Sequence, residues 1–290
     1  MTTERDVLTE LFQQHRPHLR AVAHRMLGSA TEADDALQEA WLRVRDRAGA
    51  ADNVEAWLTT VVARICLNML RSRRTRREHF VPDPVVRLDS EDGPEREAVL
   101  ADSVGLALLV VLDALTPAER LAFVLHDLFA VPFAEVATIL ERSEAAVQQL
   151  ASRARRRVQA APRPDPDLAA QRTVVDAFFA ASRDGDFEAL LEILDPDVEL
   201  RVDGGDRPEV SQVLRGAAAV AGHTRTYSTL YPYVIDAVVN GAAGAVVARS
   251  GKPFSVLAFT VANGRIARIE ALIDPQRLAL LDIAIPPHGR

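Results

Sequence analysis

Gln148, Gln149 and Ser152 precede a stretch, Arg153 to Arg157, with four arginines in five positions. These side chains bond base edges and phosphates rather than moving protons or electrons. A second basic stretch, Arg64 to Arg77, holds six arginines and no acid. Such clusters are the electrostatic footprint of nucleic-acid binding, although a solvated helix face carries the same pattern. Elsewhere the reactive residues are thinly spread. Cys66 is the single cysteine, so the chain lacks the thiols for an internal disulfide or a zinc site, and beside apolar neighbours it reads as a small buried side chain. His223, Asp203 and Asp206 are the candidates for acid–base catalysis by a small-molecule enzyme, chemistry that needs converging geometry as well as the right residue types. Gly204-Gly205 has no Walker or dinucleotide pattern around it and reads as a turn or bulge. No catalytic residue, cofactor or metal is assigned.

The elements that must carry these groups follow from charge and periodicity. A chain of 290 residues suggests two or three domains. Its net charge of -7 conceals a pattern: residues 1–80 carry +2, residues 81–118 carry -6, residues 119–163 carry +2 and residues 164–290 carry -5. Two basic segments thus flank an acidic connector. The start has no signal-peptide core and nothing later reaches the roughly 20 uninterrupted apolar residues that cross a bilayer, so a cytoplasmic protein without membrane contact is expected.

Residues 1–78 read as helical, with a capping box from Thr31 to Asp34. From Asn53 onward Val54, Trp57, Leu58, Val61, Val62, Ile65 and Met69 form one apolar stripe, while Asn53, Thr60, Arg64 and Arg71 fall on a different, basic face. Residues 79–104 form an acidic linker broken by Pro82, Pro84 and Pro94. Thr116-Pro-Ala-Glu119 is a strong helix start. A short helix from Phe133 to Leu140, a turn at Glu141 to Ser143 and a helix from Glu144 to Val158 then make a helix-turn-helix, within a domain of residues 105–160. In its second helix Val147, Leu150, Ala151, Ala154 and Val158 face inward, opposite Gln148, Gln149, Ser152 and Arg156. After a Pro-rich spacer at 161–167, residues 168–285 give helices and then strand-like runs, with Asn263-Gly264 marking a hairpin. An α+β domain with a curved antiparallel sheet is predicted.

The stretches His24-Arg-Met-Leu-Gly-Ser29, Ala33-Asp-Asp-Ala-Leu-Gln-Glu-Ala-Trp-Leu-Arg43, Trp57 to Arg64 and Leu70 to Arg74 resemble region 2 of bacterial sigma-70-type factors of the extracytoplasmic-function subclass. Leu115 to Arg120, Val124 to Phe129, Phe133 to Ala137 and Ala151 to Arg157 resemble region 4 of the same proteins. The tail resembles the SnoaL-like domain fused to one branch of that subclass, at Asp186-Phe187, Leu194 to Leu200, Asp203-Gly-Gly205, Gly264-Arg-Ile266 and Asp274-Pro-Gln-Arg-Leu278. Relatives in that branch carry a Trp-Leu-Pro-Glu-Pro-like stretch where this chain has the shorter Val81-Pro-Asp-Pro84.

The resemblance implies a multidomain architecture of two all-α domains, a region 2 bundle and a region 4 helix-turn-helix, before the α+β tail. It implies docking on core RNA polymerase through Asp34, Asp35, Gln38, Glu39 and Trp41. It implies contact with the promoter minus-10 element through Asn53, Thr60, Arg64, Arg71, Arg73, Arg74 and Arg76, and with the minus-35 element through Gln148, Gln149, Ser152, Arg153, Arg155 and Arg156. Pro82, Asp83 and Pro84 of the linker and Asp203, Gly204, Gly205, Asp274 and Pro275 of the tail are the implied regulatory contacts between domains. The polymerase then supplies the chemistry. The sequence names neither an anti-sigma partner nor a small ligand. Two other readings stay open: a helix-turn-helix regulator fused to a small-molecule-binding or cyclase-like enzyme domain, and a plain repressor, which leaves the region 2 motifs unexplained.

Overall fold

The computed structural model describes residues 4–45, 53–76, 80–88, 112, 115–162, 164–207, 209–281, 283 and 285. Most of the expected linker, residues 89–104, lies outside them. The chain divides into two units, one of residues 1–77 with 108–161 and one of residues 78–107 with 162–290. The two helical segments therefore share a unit, and the connector belongs with the tail.

In the first unit, α1 (Glu4–Leu27), α2 (Ala30–Val44) and α3 (Val54–Arg76) pack around Leu19, Val22, Met26, Leu37, Leu58, Val62 and Ile65. The expected capping box at Thr31 is not formed. Gly28, at φ 75°, ends α1, so Ser29 falls at the cap of α2 and its hydroxyl accepts from the Glu32 N–H at 3.4 Å. Asp34 is left to pair with Arg20. The α3 stripe is buried at Leu58, Val62 and Ile65, whereas Val54, Trp57, Val61 and Met69 are half-buried. Cys66 is buried in α3, and burial pushes its thiol up to about 12.

The other helices of this unit are α4 (Pro117–Phe123), which continues as one π turn over Val124–Leu128, α5 (Phe133–Leu140) and α6 (Glu144–Ala160). The predicted capping box opens α4: the Thr116 hydroxyl accepts from the Glu119 N–H at 3.3 Å and the Glu119 carboxylate accepts from the Thr116 N–H at 3.0 Å. Contacts between the two helical segments are polar as well as apolar. Arg120, almost wholly buried, donates from Nε and Nη2 to the Arg25 carbonyl at 3.3 and 3.2 Å, satisfying an acceptor in the last turn of α1. The Phe129 ring meets the ring of His18 and the guanidinium of Arg25.

The second unit is built on a seven-stranded sheet in the order β1-β4-β5-β6-β7-β2-β3. The strands are β1 (Val86–Leu88), β2 (Leu194–Asp203), β3 (Gln212–Arg215), β4 (Val234–Val239), β5 (Ala242–Arg249), β6 (Lys252–Ala262) and β7 (Arg265–Leu272). Neighbours are antiparallel except β2 and β7, which are parallel. Helices α7 (Leu168–Asp184), α8 (Phe187–Ile193) and α9 (Ala217–Thr224), with a 3-10 segment over Arg225–Tyr233, pack on one face over Val175, Phe178, Leu200, Phe259 and Ile269. The opposite face carries a smaller core of Leu88, Val239, Val246, Val256, Leu272 and Leu278, the last from α10 (Pro275–Leu278).

Helices followed by strands was the expectation, and α9 with the 3-10 segment interrupts it. The Asn263-Gly264 hairpin forms with φ of 54° and 71°, as a type I′ turn requires. The Pro-rich spacer is anchored to that turn, because the Asp165 carboxylate accepts from the Asn263 and Gly264 N–H groups, each at 2.9 Å.

Candidate nucleic-acid interface

The helix-turn-helix lies where predicted, its second helix running two residues past the expected Val158. Glu141 takes the left-handed conformation at φ 55° that turns the chain, and the Ser143 hydroxyl accepts from the Ala146 N–H at 3.3 Å to start α6. Val147, Leu150, Ala151 and Ala154 are buried, while Gln148, Gln149, Ser152, Arg153 and Arg156 are exposed. The four arginines differ in what they hold. Arg155 Nε donates to Asp127 at 2.6 Å, and Arg157 Nη1 to Glu119 at 2.6 Å, with Arg153 3.7 Å from the same carboxylate. Arg156 has no acidic partner among the described residues. Three of the cations therefore also brace α6 against the preceding helices, which their sequence pattern did not reveal.

Glu119 is the anchor of that brace. Burial alone would push its carboxyl up, but the N–H and hydroxyl of Thr116, with the positive charges of Arg157 and Arg153, outweigh it and hold the group below its ordinary value.

On α3 the expected basic face separates into parts. The Asn53 carboxamide accepts from the Ala56 N–H at 3.0 Å as the helix cap, and the Thr60 hydroxyl donates to the Ala56 carbonyl at 2.9 Å. Arg64 is exposed and donates to the Thr138 carbonyl of α5 at 3.2 Å, and Arg71 is exposed two turns beyond it. Asn68, exposed between them, was missed, although the four-residue step from Arg64 marks the same face. Arg73 corrects the expectation. It is 6% exposed, donates to the Leu27 carbonyl at 2.9 Å and is ion-paired with Glu32, so it ties α3 to the end of α1 instead of facing DNA. The side chains of Arg74 and Arg76 lie outside the described residues.

On α2, Asp35, Gln38, Glu39 and Leu42 form an exposed stripe at helical spacing, and Leu42 is 49% exposed. The other two residues of the expected docking set face elsewhere. Asp34 receives two bonds from Arg20, at 2.9 and 3.1 Å, and this guanidinium holds its carboxyl below the ordinary range. Trp41 is half-buried, its ring 5.2 Å from that of Phe12.

In the second unit the implied interdomain residues come together around an arginine that was not among them. Arg277 Nε donates to Asp83 at 2.7 Å, Nη1 to Asp203 at 2.6 Å and Nη2 to the Val81 carbonyl at 2.6 Å, and its guanidinium lies 4.5 Å from the Phe80 ring centre. Asp203 also accepts from the Val81 N–H at 2.8 Å and the Gly205 N–H at 2.9 Å. Asp274 caps α10, with Pro275 at its first position, and so places Arg277. The Gly204 carbonyl accepts from Arg207 at 3.3 Å. Pro82 and Pro84 flank Asp83, and the chain continues into β1, which pairs with β4. The expected linker is therefore in part an edge strand of the tail sheet. Phe80 supplies an aromatic ring beside Val81-Pro-Asp-Pro84, a stretch without tryptophan.

The residues considered for an enzyme take separate partners: His223 Nε2 lies 3.0 Å from the Gln212 amide nitrogen, Asp203 is committed as above, and Asp206 is exposed. Among the described residues no helix is long and apolar enough to cross a membrane.

Comparison with known proteins matches the Sigma-70 region 2 family over residues 11–76 and the Sigma-70, region 4 family over residues 105–158. The chain is 40% identical to the ECF RNA polymerase sigma factor SigJ of Mycobacterium tuberculosis, with 96% of each chain covered. It is 32% identical to the probable ECF RNA polymerase sigma factor SigI of the same species, covering 95% of this chain and 96% of that one. The crystal structure of the Mycobacterium tuberculosis extracytoplasmic function sigma factor SigJ matches with a TM-score of 0.62 at 36% identity, over 94% of this chain and 99% of that one.

The Glu119 brace predicts an acid-sensitive helix-turn-helix. Because its folded-state carboxyl titrates below the ordinary 4.5, the brace stabilises fully above that value and is lost as pH falls through it. In thermal unfolding, the gap in Tm between wild type and Glu119→Gln is widest near neutral pH and narrows as pH falls below the ordinary carboxyl value. A gap independent of pH would contradict the role.

Proposed function

The chain belongs to the extracytoplasmic-function RNA polymerase sigma factors of the sigma-70 family, and from that premise we propose how its surfaces share the work. As a sigma factor it binds core polymerase and directs transcription initiation at promoters. The reading assigns the exposed α2 stripe of Asp35, Gln38, Glu39 and Leu42 to polymerase docking. It assigns Arg64, Asn68 and Arg71 of α3, with Arg74 and Arg76, to the minus-10 element, where cations hold phosphates of opened strands. Gln148, Gln149, Ser152 and Arg156 of α6 read the minus-35 duplex from the major groove, with Arg153 and Arg155 at the phosphates. The observation that carries this is the division of α6 into a buried apolar face and an exposed face of base-reading and cationic side chains.

For the tail we propose control through the linker. Residues 80–88 are held on the tail by Arg277, Asp203 and the β1–β4 pairing. Releasing these nine residues frees up to roughly 30 Å of extended chain between regions 2 and 4. The tail thereby sets how far the two promoter-binding regions separate, and it acts by binding rather than by turnover. The separate partners of His223, Asp203 and Asp206 support that assignment.

Run-off transcription with purified core polymerase on a promoter library, with and without this protein, tests the whole reading. Promoter-dependent transcripts are expected only when it is added, whereas a repressor would add none to core and would lower transcription by a complete holoenzyme. Gln148→Ala or Gln149→Ala is expected to shift preference at the upstream element by about 1–3 kcal/mol per lost base contact. Arg153→Ala, at a phosphate, is expected to weaken binding to all sequences and to reduce the salt slope by about one. An untouched preference in both glutamine variants would mean that α6 is not the reading helix. Asp35→Arg is expected to abolish co-purification with core polymerase while the melting temperature of the isolated protein holds, and retained co-purification would remove α2 from the docking surface.

A further inference from the structure

The strand that the linker adds to the tail covers only half of the edge it pairs with. β4 has six residues, Val234–Val239, and β1 matches the last three of them, with Val86 opposite Val239, Arg87 opposite Val238 and Leu88 opposite Ala237. Pairing continues past this end of β4, because the Asn240 N–H donates to the Val85 carbonyl and the Asn240 carboxamide accepts from the Val85 N–H, both at 2.9 Å. Along Val234, Ile235 and Asp236, no strand pairs with the outer side of β4 among the described residues. Unpaired N–H and C=O groups on an edge strand are a template for another strand.

The residue types account for where β1 stops. Leu88 is 6% exposed and packs with Ala237, Val239, Val246 and Leu278 in the smaller core, with Val86 partly buried beside it. An extension in the same register would set Asp89 against Asp236, Ser90 against Ile235 and Glu91 against Val234. Like charges directly opposite one another destabilise a strand pair. A serine hydroxyl likewise gives no apolar cover to Ile235, which is partly buried on the face that Leu88 occupies. The Asp236 side chain is 54% exposed, so a cation on an added strand can reach it.

We propose that the outer edge of β4 is a strand-acceptor site, where a partner protein supplies an extended segment that displaces β1 and pairs with the whole of β4. The site sets the chemistry of that segment. It carries an acid where Asp83 meets Arg277 and aliphatic residues where Val86 and Leu88 face the smaller core. Beyond these it carries a cation opposite Asp236 and an apolar residue opposite Ile235. Main-chain bonds give such an added strand its affinity, and alternate side chains give its specificity. A segment of this kind keeps the main contacts of the linker and gains the pairing that β1 lacks, so it can compete for the edge. The strand site deepens the linker-control reading and rests on it for its consequence, yet binding is measured without polymerase.

Fluorescence anisotropy of the full chain with two labelled peptides tests the site. One peptide is residues 80–91 as they stand, and the other is the same segment carrying Asp89→Lys, Ser90→Val and Glu91→Thr. The substituted peptide is expected to bind saturably and roughly tenfold or more tightly than the native one. Leu88→Ala in the chain weakens the resident strand and should tighten binding of the substituted peptide roughly tenfold or more, because apparent affinity is reduced by the fraction of molecules in which the edge is open. The three peptide substitutions placed in the chain itself should strengthen the resident strand and weaken peptide binding. Methylating the Val85 amide of the peptide should remove binding, since that N–H donates to Asn240. Three results would overturn the proposal: no saturable binding to the Leu88→Ala chain, equal affinity for the two peptides, or binding untouched by amide methylation. Run-off transcription with saturating peptide separates the two readings, because bound peptide with unchanged transcription would remove control through the linker and leave the strand site standing.

Discussion

One guanidinium joins stretches of chain 194 positions apart. Arg277 sits between the carboxylates of Asp83 and Asp203, caps the Val81 carbonyl and lies over the Phe80 ring, so every face of its planar group is in use. Both carboxylates are largely shielded from water, and removing one member of such a set leaves an uncompensated buried charge, at a cost of about 3–5 kcal/mol. That magnitude matters for any switch. The linker segment does not drift off the tail by thermal motion, and its release requires a competing interaction of similar size.

Arginine is used in this protein in two ways that composition cannot separate. Arg73 and Arg120 are buried and saturate carbonyls at the end of α1, while Arg155 and Arg157 brace α6 from its flanks. Only part of the positive charge counted in the two basic stretches is thus presented outward. On the proposed reading, Arg155 and Arg157 serve the interface indirectly, because they brace the helix that carries the glutamines. A groove-reading helix needs that rigidity: base contacts discriminate only when donor and acceptor positions are fixed to within a fraction of an ångström.

What could be foreseen from the residues follows the range of the interactions involved. Period and caps are local, so the limits of α5, the start of α6, the capping box at Thr116 and the hairpin at Asn263-Gly264 were all legible. The failures are long-range or very short. β1 has three residues and no alternation to detect, and it exists only because β4 offers an edge to pair with. The role of Arg277 is not legible in the sequence, since nothing local says that its partners lie near residue 80. Arg73 was misassigned because a buried arginine and a phosphate-binding one look alike until the Leu27 carbonyl and Glu32 are placed beside it.

The same register argument limits how the tail can transmit a signal. Val202 and Asp203 are consecutive in β2 and point to opposite faces, one to the helix-covered core and one to the linker, and a slip of one residue would exchange those faces and expose the core. The strand therefore cannot slide. The segment free to respond is the loop after it, where Ser211 accepts from the Gly204 N–H and Arg207 holds both the Gly204 and Ile273 carbonyls. Gly204 and Gly205 of this loop adjoin Asp203. A partner of the tail influences the linker only to the extent that it binds differently when that loop holds Asp203 toward Val81 and Arg277 and when it does not. The coupling between partner and linker is then bounded by that difference in affinity, whatever the total affinity for the tail.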